Sequence, residues 1–321
     1  MLAASARSFQ STDPLSGLFV GDHDEPQADQ GWTVVDVKAA SVNHHDLWSL
    51  QGVGLSADNL PMILGTDAAG ITADGREVIV HAVIGDPGVR EDETFDPKRS
   101  LFSEIHNGTF AEKVAVPTRN LVPKPPGLTW EEAACLPTAW LTAYRMLTRD
   151  SGLAKGDTVL VQGAGGGVST ALVVLGKALG MRVWVTSRDA SKRQRSVELG
   201  ADDAFESGTK LPEKVDAVME TVGKATWAHS LRSLRPGGTV VVSGATSGDD
   251  PSADLKRVFF LQLRVIGSTM GSLGELAALV ELVSSKSIHP LIDSVFPLSE
   301  AKGALGRMAN GELFGKIVLV T

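Results

Sequence analysis

The sequence predicts an α/β chain in two parts. One is β-rich with long loops, and the other is a doubly wound parallel sheet. Three observations predict this. Apolar and polar residues alternate in the first third. Compact apolar strands alternate with helical patterns from about residue 156. A glycine cluster stands between the first of those strands and its helix. The chain has 321 residues, enough for two domains, and 43% of them are hydrophobic, enough for a sizeable core.

In the first third, WTVVDVKAASVN sets Val35, Val37 and Ala39 against Asp36 and Lys38, the period of a half-buried strand. REVIVHAVI (76–84) and TFAEKVAVP (109–117) are further strand candidates. Between them, GDPGVREDETFDPKRS (85–100) is charged and reads as a solvated surface excursion. Thr129, followed by Glu131 and Glu132, marks a helix start. DTVLVQ (157–162), RVWVTS (182–187), VDAVME (215–220), TVVVSG (239–244) and LRVIGS (263–268) are apolar strands. STALVVLGKALG (169–180) and ASKRQRSVELGA (190–201) are helices among them. Such alternation places helices on both faces of a parallel sheet. A helix at 272–285 and a final strand, GKIVLV (315–320), close the chain.

Bulk properties exclude several function classes. The formal net charge is −8 and the pI about 5.4, so no broad basic surface calls for nucleic acid or an anionic membrane. No segment has the run of roughly 20 apolar residues that a membrane span needs. No secretory signal is legible at the N-terminus, and a single cysteine, Cys135, fits a reducing compartment, so the expected location is the cytoplasm. One cysteine also excludes an internal disulfide and a multi-thiolate zinc site.

The glycine turn VQGAGGGVS (161–169) sits between strand and helix. Glycines allow a sharp turn and close backbone approach, and the following helix offers unpaired N–H groups to an anion. The turn therefore predicts dinucleotide binding through Ala164, Gly165, Gly166, Gly167 and Val168, although the literal G-x-G-x-x-G is not met because Val168 or Ser169 falls at the last position. At the end of the next strand, Ser187 and Arg188 stand where an acid would hold a ribose 2′-hydroxyl, with Lys192, Arg193 and Arg195 following. A guanidinium and an ammonium there suit a 2′-phosphate, so NADPH is expected rather than NADH. The alternative is a solvated basic helix face with Asp189 as its N-cap.

SVNHHDLWSLQG (41–52), LGTDAAG (64–70), GTFAEKVAVP (108–117), CLPTAWLTAYRML (135–147), VLVQGAGGGVS (159–169) and GKIVLV (315–320) occur in this order. Together they resemble the medium-chain dehydrogenase/reductase superfamily, and most closely its zinc-free quinone-oxidoreductase and enoyl-reductase branch. The resemblance spans nearly the whole chain. It implies a GroES-like catalytic domain from residues 1–130 and 271–321, a Rossmann NADP-binding domain from residues 131–270, an active site in the cleft, and a homodimer paired through the strand LRVIGS.

In zinc-dependent relatives the ligands are a cysteine, the histidine of a G-H-E motif and a later cysteine or acid. The matching positions here are Asn43, Thr66 and a place near Thr138, with Cys135 out of register. The relatives' structural zinc lobe carries four cysteines, and the corresponding loop, Gly85 to Ser103, has none. Adjacent side chains such as His44 and His45 point apart on an extended segment, so both cannot serve one metal. No metal is expected.

By resemblance, Asn43 lies near the nicotinamide and the substrate oxygen. His44 is a candidate proton donor, Asp67 a candidate orienting group, and Asp46 is read as a helix cap. Thr142, Gly244, Ser268 and Met270 are expected around the nicotinamide, and Lys316 near the pyrophosphate. The expected activity is NADPH-dependent, metal-free hydride transfer to a small molecule, either a quinone or an α,β-unsaturated carbonyl compound. The competing readings are a zinc-dependent alcohol dehydrogenase and a non-catalytic NADPH-binding or sensing protein.

Overall fold

A computed structural model describes all 321 residues, and they form two compact units: Met1–Leu141 with Met270–Thr321, and Thr142–Thr269. The chain therefore passes between units after residues 141 and 269, against the 130/131 and 270/271 read from the sequence. The first difference is the larger. The helical stretch that begins at Trp130 packs its early turns on strands Trp32–Ser41 and Asp67–Thr72, so it belongs to the first unit as far as Leu141.

In the first unit, strand Trp32–Ser41 is the spine of a seven-stranded sheet. It pairs antiparallel with Asp67–Thr72, with Lys113–Pro117 and with the last strand, Lys316–Val320. The tail is thus built into the sheet that the N-terminal third starts, with Val318 opposite Ser41. The expected alternation holds: Val35, Val37 and Ala39 are buried while Asp36 and Lys38 are exposed. Beyond Ala39 the strand is buried on both faces. Phe102, Phe110, Leu50 and Leu64 fill the core beneath it.

The second unit is a six-stranded, all-parallel sheet. Its order is Asp203–Glu206, Arg182–Ser187, Thr158–Gln162, Val215–Glu220, Leu234–Val242, Arg264–Gly267. Numbered within the unit, that is 3-2-1-4-5-6, the doubly wound order whose ligand crevice opens at the switch between strands 1 and 4. Every residue of Thr158–Gln162 is buried, which is why that strand reads as a continuous apolar run.

The excursion 85–100 departs from its sequence reading. Asp92, Glu93, Thr94 and Asp96 are buried rather than solvated. Their carboxylates accept local backbone N–H groups: Asp96 those of Asp86 and Lys98, both at 2.8 Å, and Asp92 that of Thr94 at 2.9 Å. A charge run can go inside when the backbone itself supplies donors. No helix is long and apolar enough to cross a membrane.

Candidate active site

The site helix His44–Leu50 starts where the sheet spine ends, and Asn43 is its N-cap. Asp46, expected to cap a helix beginning at Leu47, instead lies in the first turn of a helix that begins at His44 and reaches back to accept the Asn43 N–H at 2.7 Å, closing a capping box. Its second oxygen is buried without a partner. Burial is the main cause that pushes the Asp46 carboxyl up to about 6, against the opposing effects of His45 and the Asn43 N–H.

Asp67 is the centre of a buried polar network. One carboxylate oxygen accepts from Ser41 Oγ at 2.6 Å and Asn43 Nδ2 at 2.8 Å. The other accepts from Thr138 Oγ1 at 2.5 Å, with Thr66 Oγ1 at 3.4 Å. Thr66 and Thr138 lie 3.0 Å apart, and Asn43 Nδ2 also stands 3.2 Å from Thr66 Oγ1. With the Thr138 proton on Asp67, the Thr66 hydroxyl donates to Thr138. Lys316, almost fully buried, donates to Asn43 Oδ1 at 2.6 Å and to Val42 O at 2.8 Å, with its ammonium 3.6 Å from Asp67.

Two expectations change here. Lys316 was read as a pyrophosphate contact, but two of its three N–H donors are committed to this network. Asn43 is expected near the substrate oxygen, and in the structure its amide oxygen accepts from Lys316 while its amide hydrogens turn inward to Asp67 and Thr66. Asn43 is the bridge between the ammonium and the carboxylate.

The structure separates the two adjacent histidines. His45 pairs with Glu104 at 3.2 Å. His44 is exposed, makes no hydrogen bond and faces the Trp48 ring at 6.2 Å. Desolvation first, then the charge of Lys316, lowers its pKa from the ordinary value.

Asn43, Thr66 and Thr138, which the resemblance sets at or near the zinc-ligand positions, converge, yet their groups do not fit the metal. They are two hydroxyls and an amide whose oxygen is occupied by an ammonium, whereas zinc takes thiolate, imidazole or carboxylate. Cys135 is no substitute. Its thiol is fully buried, donates to Glu131 O, and is pushed up to about 12 by burial, so it stays protonated. No three His, Cys, Asp or Glu side chains are grouped to hold an ion.

In the second unit, the glycine turn has the form its sequence required. Gly163 and Gly165 have φ of 82° and 92°, the left-handed region where glycine has no Cβ penalty. Gly166 caps helix Gly167–Ala178 without a side-chain bond, and the first intrahelical N–H is that of Thr170. The N–H groups of Gly167, Val168 and Ser169 therefore precede the helical ladder. Ser169 leaves the turn intact, since its hydroxyl folds back to Gly166 O at 2.9 Å. At the next strand end, Ser187 accepts the Asp189 N–H, and Asp189 caps helix Ala190–Glu198, the cap that the alternative reading named. Arg193 ties to Ser187 O at 2.7 Å, while Arg188 is exposed and unpaired.

Thr142 is buried at the start of this unit, and Gly244 follows strand Leu234–Val242, where a Cβ would stand 3.0 Å from Thr221 O. Ser268 N–H is already used by Val242 O at 2.8 Å. Met270 falls in the other unit, buried against Ala82 and Val83.

Sequence reasoning missed a second buried network beneath the glycine turn. Gln162 accepts from Thr186 Oγ1 at 2.6 Å and donates towards His229 Nδ1 at 2.9 Å and Ser230 Oγ at 3.0 Å. Glu220 accepts from Ser230, Thr226 and the N–H groups of Val222 and Gly223. These bonds tie the C-terminal ends of strands 1, 2 and 4. The available signal was a polar residue near the end of each apolar strand.

Two family models match: an alcohol dehydrogenase GroES-like domain over residues 29–126 and a zinc-binding dehydrogenase over residues 167–285. A crystal structure of an NAD-dependent alcohol dehydrogenase superposes with a TM-score of 0.91, at 30% identity over all of both chains. The chain belongs to the medium-chain dehydrogenase/reductase superfamily. Among curated relatives, a crotonyl-CoA carboxylase/reductase of Cereibacter sphaeroides is 28% identical over 97% of this chain and 85% of its own length. A 2-octenoyl-CoA carboxylase reductase, solved with NADP and 2-octenoyl-CoA, has a TM-score of 0.91 at 26% identity, covering 99% of this chain and 87% of that one.

Proposed function

We propose that this oxidoreductase uses NADPH to reduce an α,β-unsaturated carbonyl compound without a metal, with enoyl thioesters as the first substrate class and quinones as the second. The observation that carries the reading is the set Asn43, Thr66 and Thr138, hydrogen-bonded internally beside the Lys316 ammonium. Bound nicotinamide supplies hydride. The protein supplies fixed dipoles and no Lewis acid, a setting that suits acceptors already activated by conjugation. His44, exposed and without a hydrogen-bond partner, is the group that passes a proton to or from the substrate. The glycine turn takes the pyrophosphate, and Arg188 with Lys192 takes the 2′-phosphate. The relatives that act on CoA esters support placing enoyl thioesters before quinones.

The same reading includes a homodimer in the cytoplasm. Strand Arg264–Gly267 is the outer strand of its sheet, and Phe259 and Phe260 beside it are 70% and 75% exposed. An unpaired edge beside exposed aromatic rings suits a second copy.

The test is NADPH oxidation against enoyl thioesters, enones, quinones and saturated aldehydes. Turnover of the thioesters or enones is the expected result. Turnover of quinones alone moves the reading to the second class. NADPH binding with no turnover anywhere overturns it.

A further inference from the structure

The excursion from Gly85 to Asn107 has no cysteines; besides the pairing of Ser100–Leu101 with Val83–Ile84, two glutamates tie it to segments remote in sequence. Glu93, in the short turn Glu93–Phe95, is 5% exposed. One of its oxygens accepts from His81 Nε2 at 2.7 Å and from the Leu273 N–H at 2.6 Å. His81 sits at the break between strands Glu77–Val80 and Val83–Ile84, and Leu273 opens helix Leu273–Ser285. Three segments remote in sequence therefore meet on one carboxylate. That position also favours a negative charge, since it stands at a helix amino end. Burial opposes ionisation of Glu93, but His81 and the Leu273 N–H outweigh it and hold the carboxyl below its usual range.

The second point is Glu104. One oxygen meets His45 Nε2 at 3.2 Å and the other accepts the Leu101 N–H at 2.8 Å, while its carbonyl accepts from Asn59 at 2.8 Å. His45 is next to His44 on the site helix. The excursion thus connects helix Leu273–Ser285 and His81, bonded to Glu93, with Glu104 and the residue beside His44 through the chain that runs from Glu93 to Glu104. His81 Nδ1 is buried without a partner, so the ring has no other anchor than Glu93.

We propose that Glu93 is a positioning residue that pins the 85–107 excursion and, through Glu104 and His45, fixes the substrate-side surroundings of His44. The role rests on the functional reading above only in its kinetic consequence. The pinning itself is independent of that reading.

The test combines hydrogen exchange with kinetics on the full chain. In Glu93→Ala, amide exchange across 85–107 accelerates at least tenfold, while strand Thr158–Gln162 and NADPH affinity stay within twofold. KM for the carbonyl substrate rises at least fivefold with kcat changed less. Glu93→Gln, which keeps an acceptor for the Leu273 N–H and a group that can bond His81, recovers most of the protection. If Glu93→Ala does not fold, Glu104→Gln at the more exposed pin must give faster exchange over 101–107 and the same rise in KM. Unchanged exchange over 85–107, or a rise spread evenly over the whole chain, overturns the proposal. If exchange accelerates but no substrate is turned over even by the wild type, the pinning stands and the functional reading fails.

Discussion

The two units treat their polar groups in opposite ways. Around Asp67, nearly every donor and acceptor is already paired: Ser41, Asn43, Thr66, Thr138 and Lys316 satisfy the carboxylate and one another. At the glycine turn and the adjoining strand end, the helix start has no side-chain cap, and Arg188 has no partner. One region is preorganised before anything binds. The other holds its unpaired groups where an anionic ligand would complete them. The difference teaches that the same kind of change, loss of one polar side chain, should register as lost stability in the first region and as lost affinity in the second.

The sharpest way to break the comparison is Lys316→Met. It leaves Asp67 buried without its cation, and breaking a buried pair costs roughly 3–5 kcal/mol. Chemical denaturation should show a loss of that order, and Asp67→Asn in the same chain should recover part of it, because the two sites share one interaction. A loss below about 1 kcal/mol, within the range of ordinary surface substitutions, would mean that the network is not what holds this region.

Asp46 sharpens the same point from within the first unit. It is as buried as Asp67 but has one oxygen unpartnered, and its folded pKa lies at about 6 against an ordinary 3.8. A raised carboxyl pKa means that the folded state prefers the protonated form. The cost to stability is absent below about pH 4, grows between 4 and 6, and is complete above 6. A shift of about two units corresponds to roughly 3 kcal/mol. Asp46→Asn should therefore match the wild type in stability at pH 4 and exceed it at pH 7. Parallel stability curves for the two proteins across that range would contradict the assignment.

In the second unit the expected effects are smaller and fall on binding. Arg188→Ala should weaken NADPH at least tenfold, in line with a charge-assisted hydrogen bond worth roughly 1.5–3 kcal/mol. NADH affinity and the melting temperature should stay close to the wild type. Equal loss of both cofactors would remove Arg188 from the 2′-phosphate. Smallest of all in its effect on the isolated fold, Phe260→Glu should shift the protein from dimer to monomer in light scattering while leaving secondary structure unchanged. A wild type that is monomeric at micromolar concentration would end the dimer reading.

The parallel sheet was legible because its strands are buried on both faces and so appear as uninterrupted apolar runs between helices. The glycine turn was legible because its backbone demands glycine at 163 and 165. Asn43, His44 and Asp67 could be picked out as candidates from their motifs. Their bonding to one another could not, even where a partner such as Thr138 or Lys316 was named for another role. Ser41, Thr138 and Lys316 reach Asp67 across wide sequence separations, and nothing local in a serine, a threonine or a lysine records such a meeting. The same holds for Gln162 and Glu220. The excursion 85–100 misled for a related reason: carboxylates paired with backbone N–H groups look, in sequence, the same as carboxylates facing water.

The central proposal is that hydride transfer here needs no metal, and it rests on the self-satisfied network of Asn43, Thr66, Thr138 and Lys316. The most direct test measures bound metal and NADPH-dependent enoyl thioester reduction on the same purified sample, before and after prolonged chelation. The account predicts substoichiometric metal and an unchanged rate. One zinc per chain, with activity lost on chelation and restored by zinc, would contradict it.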